Sequence, residues 1–269
     1  MRERRIKGVR LLFFENLSRI QGIFHFISTR EGGVSQPPYE FLNLNFAGGD
    51  DPKKVEKNWR ILSSALGIPL SYVVLTRQKH GDKVVVIKSP KSGKFPHTIG
   101  EGDAMVTSLR HHLLVVLVAD CVPLLLIDIQ KKVIGIVHAG WRGTLQNVTG
   151  KTVEVFRKEF KSKPKDIYTG IGPSIGPCCY QIGEDIVEKF RKAYPSFNKV
   201  MWREKNKKFF LNLWEINKHQ LKSSGIPEEN IEVSRICTFC NHWIFFSQRW
   251  QKGPTGRFAG GIMLKDENL

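Results

Sequence analysis

The sequence predicts an α+β fold in which mixed β-sheets are flanked by helices. Apolar segments of strand length follow one another along much of the chain without a helix between them. A doubly wound α/β protein would alternate strands with helices, so these runs of strands favour separate sheets with helices packed against them. With 269 residues, 41% of them hydrophobic, the chain can bury a full core, and we predict a single domain over residues 1–269.

The first half of the sequence contains one early strand, one helix and then a series of strands. Residues 22–29 are predicted to form a strand, which leads into a loop rich in Gly and Pro. Asp51 followed by Pro52 is typical of a helix N-terminus, and Gly67 ends that helix. Further strands are predicted at residues 71–80, 83–87, 102–108 and 112–121.

The second half begins with a predicted hairpin and then mixes helices with short strands. Residues 123–129 and 133–140 form the hairpin, with three polar residues at its turn. A strand that begins near residue 166 runs into a Gly- and Pro-rich loop. Helices are predicted near residues 145–160, 184–194 and 213–224, and short strands within residues 231–240, 244–249 and 261–265.

The strongly basic composition does not by itself indicate a nucleic-acid-binding protein. The net charge is +17, with basic clusters at residues 2–10, 88–94, 157–165 and 203–208. These clusters are dispersed and lack regularly interleaved aromatic residues. We therefore predict a solvated surface that attracts small anionic molecules, and no nucleic-acid partner.

The sequence predicts a cytoplasmic protein with no membrane partner. No window approaches the roughly 20 apolar residues that a membrane span needs, and the N-terminus lacks the features of a signal peptide. The five cysteines are an odd number, which argues against a disulfide framework and leaves single thiols for metal binding or catalysis. We expect a monomer or a small homo-oligomer.

Three predicted strands each end on a side chain that can bind zinc. His80 precedes a glycine, Cys121 precedes a Val-Pro pair, and His138 precedes an Ala-Gly pair. Catalytic zinc typically has three nitrogen, sulfur or oxygen ligands from the protein and keeps a fourth position open. Because strand ends are rigid supports, we predict that His80, Cys121 and His138 form a metal site.

Two other interpretations of the same three residues stay open at this point. A single His or Cys after an apolar strand is more often packed or hydrogen-bonded than metal-bound, and the spacings match no short-range zinc motif. Cys121 with His138 as its base would also make a Cys–His nucleophile pair.

Arg142 and Asp120 lie next to these candidate ligands in the sequence. Arg142 sits in a Gly-containing turn before a helix, where its guanidinium and the first-turn amides suit a phosphate or carboxylate. The alternative is packing on Trp141 or pairing with a carboxylate. Asp120 is either a general acid or base or, as we expect, a cap of its own turn.

The remaining cysteines do not have the spacing of a complete metal motif. Cys237 and Cys240 form a C-x-x-C pair, which suits half of a zinc site or a redox pair. Cys178 and Cys179 are adjacent, so a second pair at metal spacing is missing, and we expect two buried or loop thiols at Cys237 and Cys240. The Gly-rich segment before Cys178 lacks the ending of a Walker loop.

Seven segments in a fixed order give the sequence a specific family resemblance, which covers about residues 20–265. The chain resembles the YfiH-type family, once named multicopper polyphenol oxidases or laccase-like proteins. Its members are regarded as purine nucleoside phosphorylases that also deaminate adenosine. The segments are STREGGVS, RQKHG, GDAMVTS, ADCVPLLLID, VHAGWRGT, IGPSIGPCCYQIG and FFSQR with TGRFAG.

The resemblance implies both a ligand set and a reaction. The family's metal ligands are the His of Q-x-H-G, the Cys of A-D-C and the His of H-A-G-W-R-G, which are His80, Cys121 and His138 here. The implied metal is zinc, with copper for the oxidase activity, and the implied fold is an α/β sandwich shared with certain toxin deamidases. The implied substrates are a purine nucleoside and phosphate. For the phosphate we predict Arg142, with Arg30 as a second candidate.

One departure from the family pattern argues against the multicopper activity. Members often have a histidine in an N-L-x-x-H-x-x-D-D stretch, where this chain has Ala47 or Gly48. The chain also has only eight histidines and no H-x-H pair, whereas a multicopper enzyme needs many histidines. A copper-dependent polyphenol oxidase and a metal-independent Cys–His hydrolase therefore stand as the alternatives to the phosphorylase.

Overall fold

Two β-sheets pack face to face in the protein, and helices cover their outer faces. The computed structural model describes residues 1–89, 95–195 and 208–266, and the backbone alone of residues 202–205. In chain order the elements are β1 Arg2–Ile6, β2 Val9–Phe13, α1 Glu15–Ser18, β3 Ile23–Ser28, α2 Pro52–Leu66, β4 Val73–Arg77, β5 Val84–Ile87, β6 Thr98–Glu101, β7 Ala104–Thr107, β8 Leu113–Val118, β9 Val122–Asp128, β10 Val133–Ala139, α3 Trp141–Leu145, α4 Val148–Phe160, β11 Ile167–Ile171, β12 Gln181–Ile182, α5 Glu184–Ala193, β13 Trp202–Lys205, β14 Lys208–Leu211, α6 Leu213–Ser223, β15 Ile231–Val233, α7 Gln248–Gln251 and β16 Phe258–Leu264.

Both large sheets are mixed, which confirms the predicted α+β class. The first has the strand order β1-β2-β3-β16-β8-β4-β6, and the second has the order β15-β11-β9-β10-β7-β5. In the first sheet β4 runs parallel to β8 and to β6, and in the second β5 runs parallel to β7. A smaller sheet, β12-β14-β13, lies outside these two.

Strand β9 shows how the layers are built from the sequence. Leu125 and Ile127 belong to the core between the two sheets, whereas Leu124 and Leu126 belong to the core under the helices. Alternate side chains of a strand point to opposite faces. A strand buried on both faces therefore has a continuous apolar sequence, as this one does.

Helix α2 covers the outer face of the first sheet and begins and ends where the sequence predicts. The Asp51 carboxylate accepts a hydrogen bond of 2.9 Å from the amide of Lys53, and Pro52 is the first helical residue. Gly67 ends the helix in the left-handed region, at φ = 66°. Trp59 and Leu62 are buried against the sheet.

The predicted helix at residues 145–160 is two helices, and the first begins earlier than predicted. Asn147 lies between α3 and α4 with φ = 62°, a conformation that an asparagine adopts more easily than most residues. Its side chain accepts a hydrogen bond of 3.2 Å from the amide of Gly150 and so caps α4. The break lets α3 begin at Trp141, directly after β10.

Two predicted strands near the C-terminus are wrong in whole or in part. Residues 244–249 form no strand, because Phe245 and Phe246 are buried consecutively in a loop rather than alternating across a sheet. The strand predicted within residues 231–240 ends at Val233.

Parts of the basic clusters 88–94 and 203–208 lie outside the described residues. In the part of the chain that the structure describes, no helix has the length and apolarity to cross a membrane.

A candidate metal centre at a cationic cavity

The three predicted ligands converge at one edge of the sandwich. His80 follows β4, Cys121 precedes β9 and His138 lies near the end of β10. Their ligand atoms all lie within 4.8 Å of one another. The two imidazole rings are 4.8 Å apart and nearly perpendicular. His138 is buried and His80 is exposed, so the group is supported on one side and open on the other.

Asp103 holds this group together, although sequence reasoning gave it no role. Its carboxylate receives a hydrogen bond of 2.8 Å from Nδ1 of His138 and accepts the amides of Lys79, His80 and Gly81 at 2.8–3.1 Å. His80 has φ = 59°, an uncommon backbone conformation that these amide bonds stabilise. The only signal in the sequence was an aspartate directly before the buried strand of the GDAMVTS segment.

Glycines after β10 allow the close approach of the ligands. A Cβ atom on Gly140 would lie 3.0 Å from Sγ of Cys121 and 3.2 Å from Cδ2 of His80. A Cβ atom on Gly143 would lie 2.6 Å from the carbonyl oxygen of Gly81. A side chain at either position would therefore push the loops of His80 and Cys121 apart.

Opposing effects set the pKa values of His138 and Cys121. Burial lowers the pKa of His138, but the neighbouring Cys121 and Asp103 raise it overall to about 9. Burial raises the pKa of Cys121, but His138 and His80 lower it overall to about 6. Near neutral pH the metal-free pair is therefore a thiolate beside an imidazolium, and binding a cation would release the imidazolium proton.

The donor set fits a metal ion with an open coordination position. The bond from Nδ1 of His138 to Asp103 leaves Nε2 for a metal, and a carboxylate behind a ligating imidazole is the usual arrangement in metal sites. Two imidazole nitrogens and one thiolate suit zinc and related ions. The site can therefore bind a metal and present it to a ligand.

A cavity of about 910 Å³ opens beside the three ligands and is strongly cationic. The described residues that line it include five basic side chains and a single acidic one, Asp120. Aromatic walls come from Phe46, Trp141 and Tyr180. Ala47 also lines the cavity. The basic lining residues are Arg77, Arg142, Arg249, Lys252 and Arg257.

The two arginines predicted for phosphate lie in different places. Arg142 is exposed, lines the cavity and packs its guanidinium 4.9 Å from the ring centroid of Trp141. Arg30 is not among the residues that line the cavity. Its guanidinium donates to the carbonyl oxygens of Glu40 and His242 and to the Glu40 carboxylate, at 2.6–3.0 Å. These bonds tie the loop after β3 to the loop before α7.

Asp120 caps neighbouring segments rather than its own turn. Its carboxylate accepts a hydrogen bond of 2.6 Å from the hydroxyl of Thr238 and one of 2.7 Å from the amide of Arg249. The prediction that it caps backbone amides is right in kind, but the amide belongs to α7. Asp120 thereby fixes α7 at the cavity wall.

A second group of thiols lies in the adjoining loops, where the sequence predicted two unconnected thiols. The sulfur atoms of Cys178, Cys179, Cys237 and Cys240 all lie within 4.8 Å of one another. Cys240 Sγ is 3.6 Å from Cys178 Sγ and 3.4 Å from Cys179 Sγ. All five cysteines lie in the described residues, and none is in a disulfide. Cys237 and Cys240 lie in a loop, as expected, and Cys178 and Cys179, which lack metal-motif spacing in the sequence, lie beside them in space.

Known proteins resemble this chain over most of its length. The protein named purine nucleoside phosphorylase YlmD from Geobacillus stearothermophilus is 35% identical over 246 residues, which are 90% of each chain. The crystal structure of YlmD from that organism superposes with a TM-score of 0.90 at 32% identity and covers 96% of this chain and 97% of its own. A prokaryotic protein named adenosine deaminase RL5 is 32% identical over 91% of this chain and 95% of its own.

A family model matches most of the chain under a different name. Residues 24–265 match the model described as multi-copper polyphenol oxidoreductase laccase. The matched region contains all three candidate ligands, Asp103 and the four cysteines of the second group. The chain therefore belongs to the multi-copper polyphenol oxidoreductase laccase family, as the YfiH-type resemblance predicts.

Proposed function

We propose that this protein is a purine nucleoside phosphorylase, which converts a purine nucleoside and phosphate into the free base and ribose 1-phosphate. The observation that carries the proposal is the convergence of His80, Cys121 and His138 at the mouth of a cationic, aromatic-walled cavity. The name of the YlmD relative supports it. A volume of about 910 Å³ accommodates a nucleoside together with a phosphate ion.

The basic side chains that line the cavity would bind the phosphate. Arg142 offers an exposed guanidinium held over Trp141, and Lys252 is exposed at the same cavity. A planar guanidinium binds two phosphate oxygens at once. Stacking on Trp141 restricts the side chain before phosphate binds, which lowers the entropy lost on binding. Arg142 is therefore the phosphate-binding residue of the proposal.

The aromatic side chains of the cavity wall would bind the purine. Tyr180 and Phe46 line the cavity and present apolar rings on which a base can stack. Closing this space around the nucleoside also excludes water, which would otherwise compete with phosphate for the sugar.

The reaction depends more on stabilising the charge that develops on the sugar than on a protein nucleophile. A phosphate oxygen bonds to C1′ of the ribose as the bond from C1′ to the purine nitrogen breaks, and the leaving purine takes up a proton. The transition state is expected to resemble an oxocarbenium ion, as in glycoside cleavage. Arg142 holds the attacking phosphate in line with C1′, and the aromatic walls hold the base in place.

His80, Cys121 and His138 would hold a zinc ion, and Asp103 would keep His138 in the tautomer that binds it. When bound, zinc supplies a Lewis acid that polarises an oxygen atom or activates a water molecule. The second activity, deamination of adenosine, suits such a site, and the relative named adenosine deaminase RL5 supports it.

The test is to measure the products formed from adenosine and from inosine, with and without phosphate, on protein of known metal content. We expect phosphate-dependent release of adenine or hypoxanthine with ribose 1-phosphate, lost in Cys121→Ala and retained in the control His111→Ala, whose side chain pairs with Asp266. Formation of inosine alone would assign the site to deamination. Oxidation of a phenol that requires copper, without nucleoside turnover, would overturn the proposal.

A further inference from the structure

We propose that Cys178, Cys179, Cys237 and Cys240 bind a structural zinc ion that fastens the loop carrying Tyr180 of the cavity wall to the loop that precedes α7. The four cysteines come from two parts of the chain, the loop between β11 and β12 and the loop between β15 and α7. Their sulfur atoms lie within 4.8 Å of one another. Among the described residues the group consists of four thiols and no further candidate ligand, which matches a closed structural zinc site.

The backbone brings the two loops together in a fixed register. Ser174 and Cys237 form a parallel β-bridge. The amide of Thr238 donates to the carbonyl of Ser174 at 3.0 Å, and the amide of Ser174 donates to the carbonyl of Ile236 at 3.2 Å. The protein itself therefore positions the four cysteine backbones, and a metal would find a nearly complete site.

The sulfur separations fit a tetrahedral metal site. With zinc–sulfur bonds of about 2.3 Å, the sulfurs of such a site are about 3.8 Å apart. Cys240 Sγ lies 3.6 Å and 3.4 Å from the Cys178 and Cys179 sulfurs. The four sulfurs are therefore already close to the separations that a bound ion requires.

Gly176 adapts the loop to this cluster. Its amide donates a hydrogen bond of 3.2 Å to Sγ of Cys237, a contact that stabilises a thiolate. A Cβ atom at this position would lie 3.2 Å from Sγ of Cys178 and 2.6 Å from the ring of Trp214. Only glycine therefore brings the amide and the two sulfurs this close.

Tetrahedral sites of four thiolates hold zinc or iron. Cys237 and Cys240 have the C-x-x-C spacing common in structural zinc sites, whereas Cys178 and Cys179 are adjacent in the sequence. Zinc has no redox chemistry and suits a site that only holds loops together, so zinc is the ion that the experiment addresses. Each bound thiol loses its proton to solvent as the metal binds.

The proposed zinc would act on the cavity through Tyr180 and Arg249. Tyr180 follows Cys179 directly and lines the cavity. Arg249 donates a hydrogen bond of 2.8 Å to the carbonyl of Gln181 and lies 5.1 Å from the Tyr180 ring centroid. Fastening the two loops would therefore fix the relative positions of these two wall residues.

The test measures zinc by mass spectrometry in Cys121→Ala protein, purified under reducing conditions without chelator. This background removes the three-ligand site, so the result is independent of the proposed reaction. We expect about one zinc ion per chain, and about none when Cys178→Ser and Cys240→Ser are added. Folded Cys121→Ala protein without zinc, zinc content unchanged by the added substitutions, or bound iron would each overturn the proposal.

A spectrum decides the question even if the multiple variant does not fold. Cobalt(II) replaces zinc in tetrahedral sites, and its visible bands and thiolate charge-transfer bands report the number of thiolate ligands. Cobalt-loaded Cys121→Ala protein should give the intense spectrum of a four-thiolate site. A weak spectrum of an octahedral or nitrogen- and oxygen-ligated ion would overturn the proposal, as would a disulfide among the four cysteines in freshly reduced protein.

Discussion

One sulfur-containing cluster lines the cavity and another lies in the loops beside the lining residue Tyr180, and the two are built in opposite ways. The three-ligand cluster, His80, Cys121 and His138, stands at strand ends and mixes nitrogen with sulfur. The four-cysteine cluster, Cys178, Cys179, Cys237 and Cys240, lies in loops and contains sulfur alone. Three ligands leave a coordination position for substrate or water, whereas four ligands close the site. The number of ligands therefore separates a site of chemistry from a site of support.

The pKa values of the thiols also differ between the two clusters. Burial raises the pKa of Cys121, but the imidazoles of His138 and His80 lower it overall to about 6. Burial and the neighbouring Cys237 raise the pKa of Cys178 to about 12. The three-ligand cluster thus has a thiolate before any metal binds, whereas Cys178 of the four-cysteine cluster needs a cation to ionise near neutral pH.

The largest expected effect is a loss of catalysis with little loss of stability. His80→Ala should lower kcat for phosphorolysis by about 1000-fold, because a metal's stabilisation of the transition state is worth several kcal/mol. The melting temperature should change little, since the His80 side chain is exposed and its amide bond to Asp103 survives. Steady-state kinetics and calorimetry on the same preparations give both values.

Cys240→Ser is the matched variant in the other cluster. It removes one ligand from the closed site, which should displace Tyr180 in the cavity wall. Because Tyr180 would contact the substrate, KM should rise more than kcat falls. An equal loss of kcat in Cys240→Ser and His80→Ala would remove the distinction between the two clusters.

A smaller effect should come from Asp103, which has no counterpart in the four-cysteine cluster. Asp103→Asn keeps the size of the side chain but removes the charge behind His138 and one acceptor for the amides of residues 79–81. Loss of such a carboxylate typically lowers metal affinity or activity about 10- to 100-fold. Metal titration and kinetics would measure it, with Asp82→Asn, which loses a surface ion pair with Lys151, as the control. An unchanged metal affinity would show that the three ligands need no support from Asp103.

Much of the fold follows from local patterns in the sequence. Helix α2 has its own start and stop signals at Asp51, Pro52 and Gly67, and strand β9 has a continuous apolar sequence, so both are predictable. The loop at residues 244–249 is not, because its apolar residues anchor a loop to the core instead of forming a strand. Burial of apolar residues is readable from sequence, but the element that buries them is decided by tertiary contacts.

The sequence predicts the three-ligand cluster but does not predict the four-cysteine cluster. The sequence places each ligand of the three-ligand cluster beside an apolar strand, which allows the site to be predicted, although β4 belongs to one sheet and β9 and β10 belong to the other. The four cysteines meet only because the Ser174–Cys237 bridge joins two distant loops. Asp103 escaped notice because its role depends on hydrogen bonds to residues 22–35 positions away.

The smallest expected effect tests the electrostatic difference directly. In protein stripped of metal, alkylation of Cys121 by iodoacetamide should be half-maximal near pH 6, because the reactive thiolate is present above the pKa of about 6 and is lost as the pH falls through it. Cys178, with its pKa raised to about 12, should react slowly at neutral pH although it is exposed. Peptide mapping by mass spectrometry at a series of pH values resolves the two positions. A midpoint for Cys121 near about 8.5, the value of a free cysteine, would mean that His138 and His80 do not stabilise its thiolate. The two clusters would then differ in the number and kind of their ligands but not in the ionisation of Cys121 and Cys178, because each of these two thiols would need a metal to ionise near neutral pH.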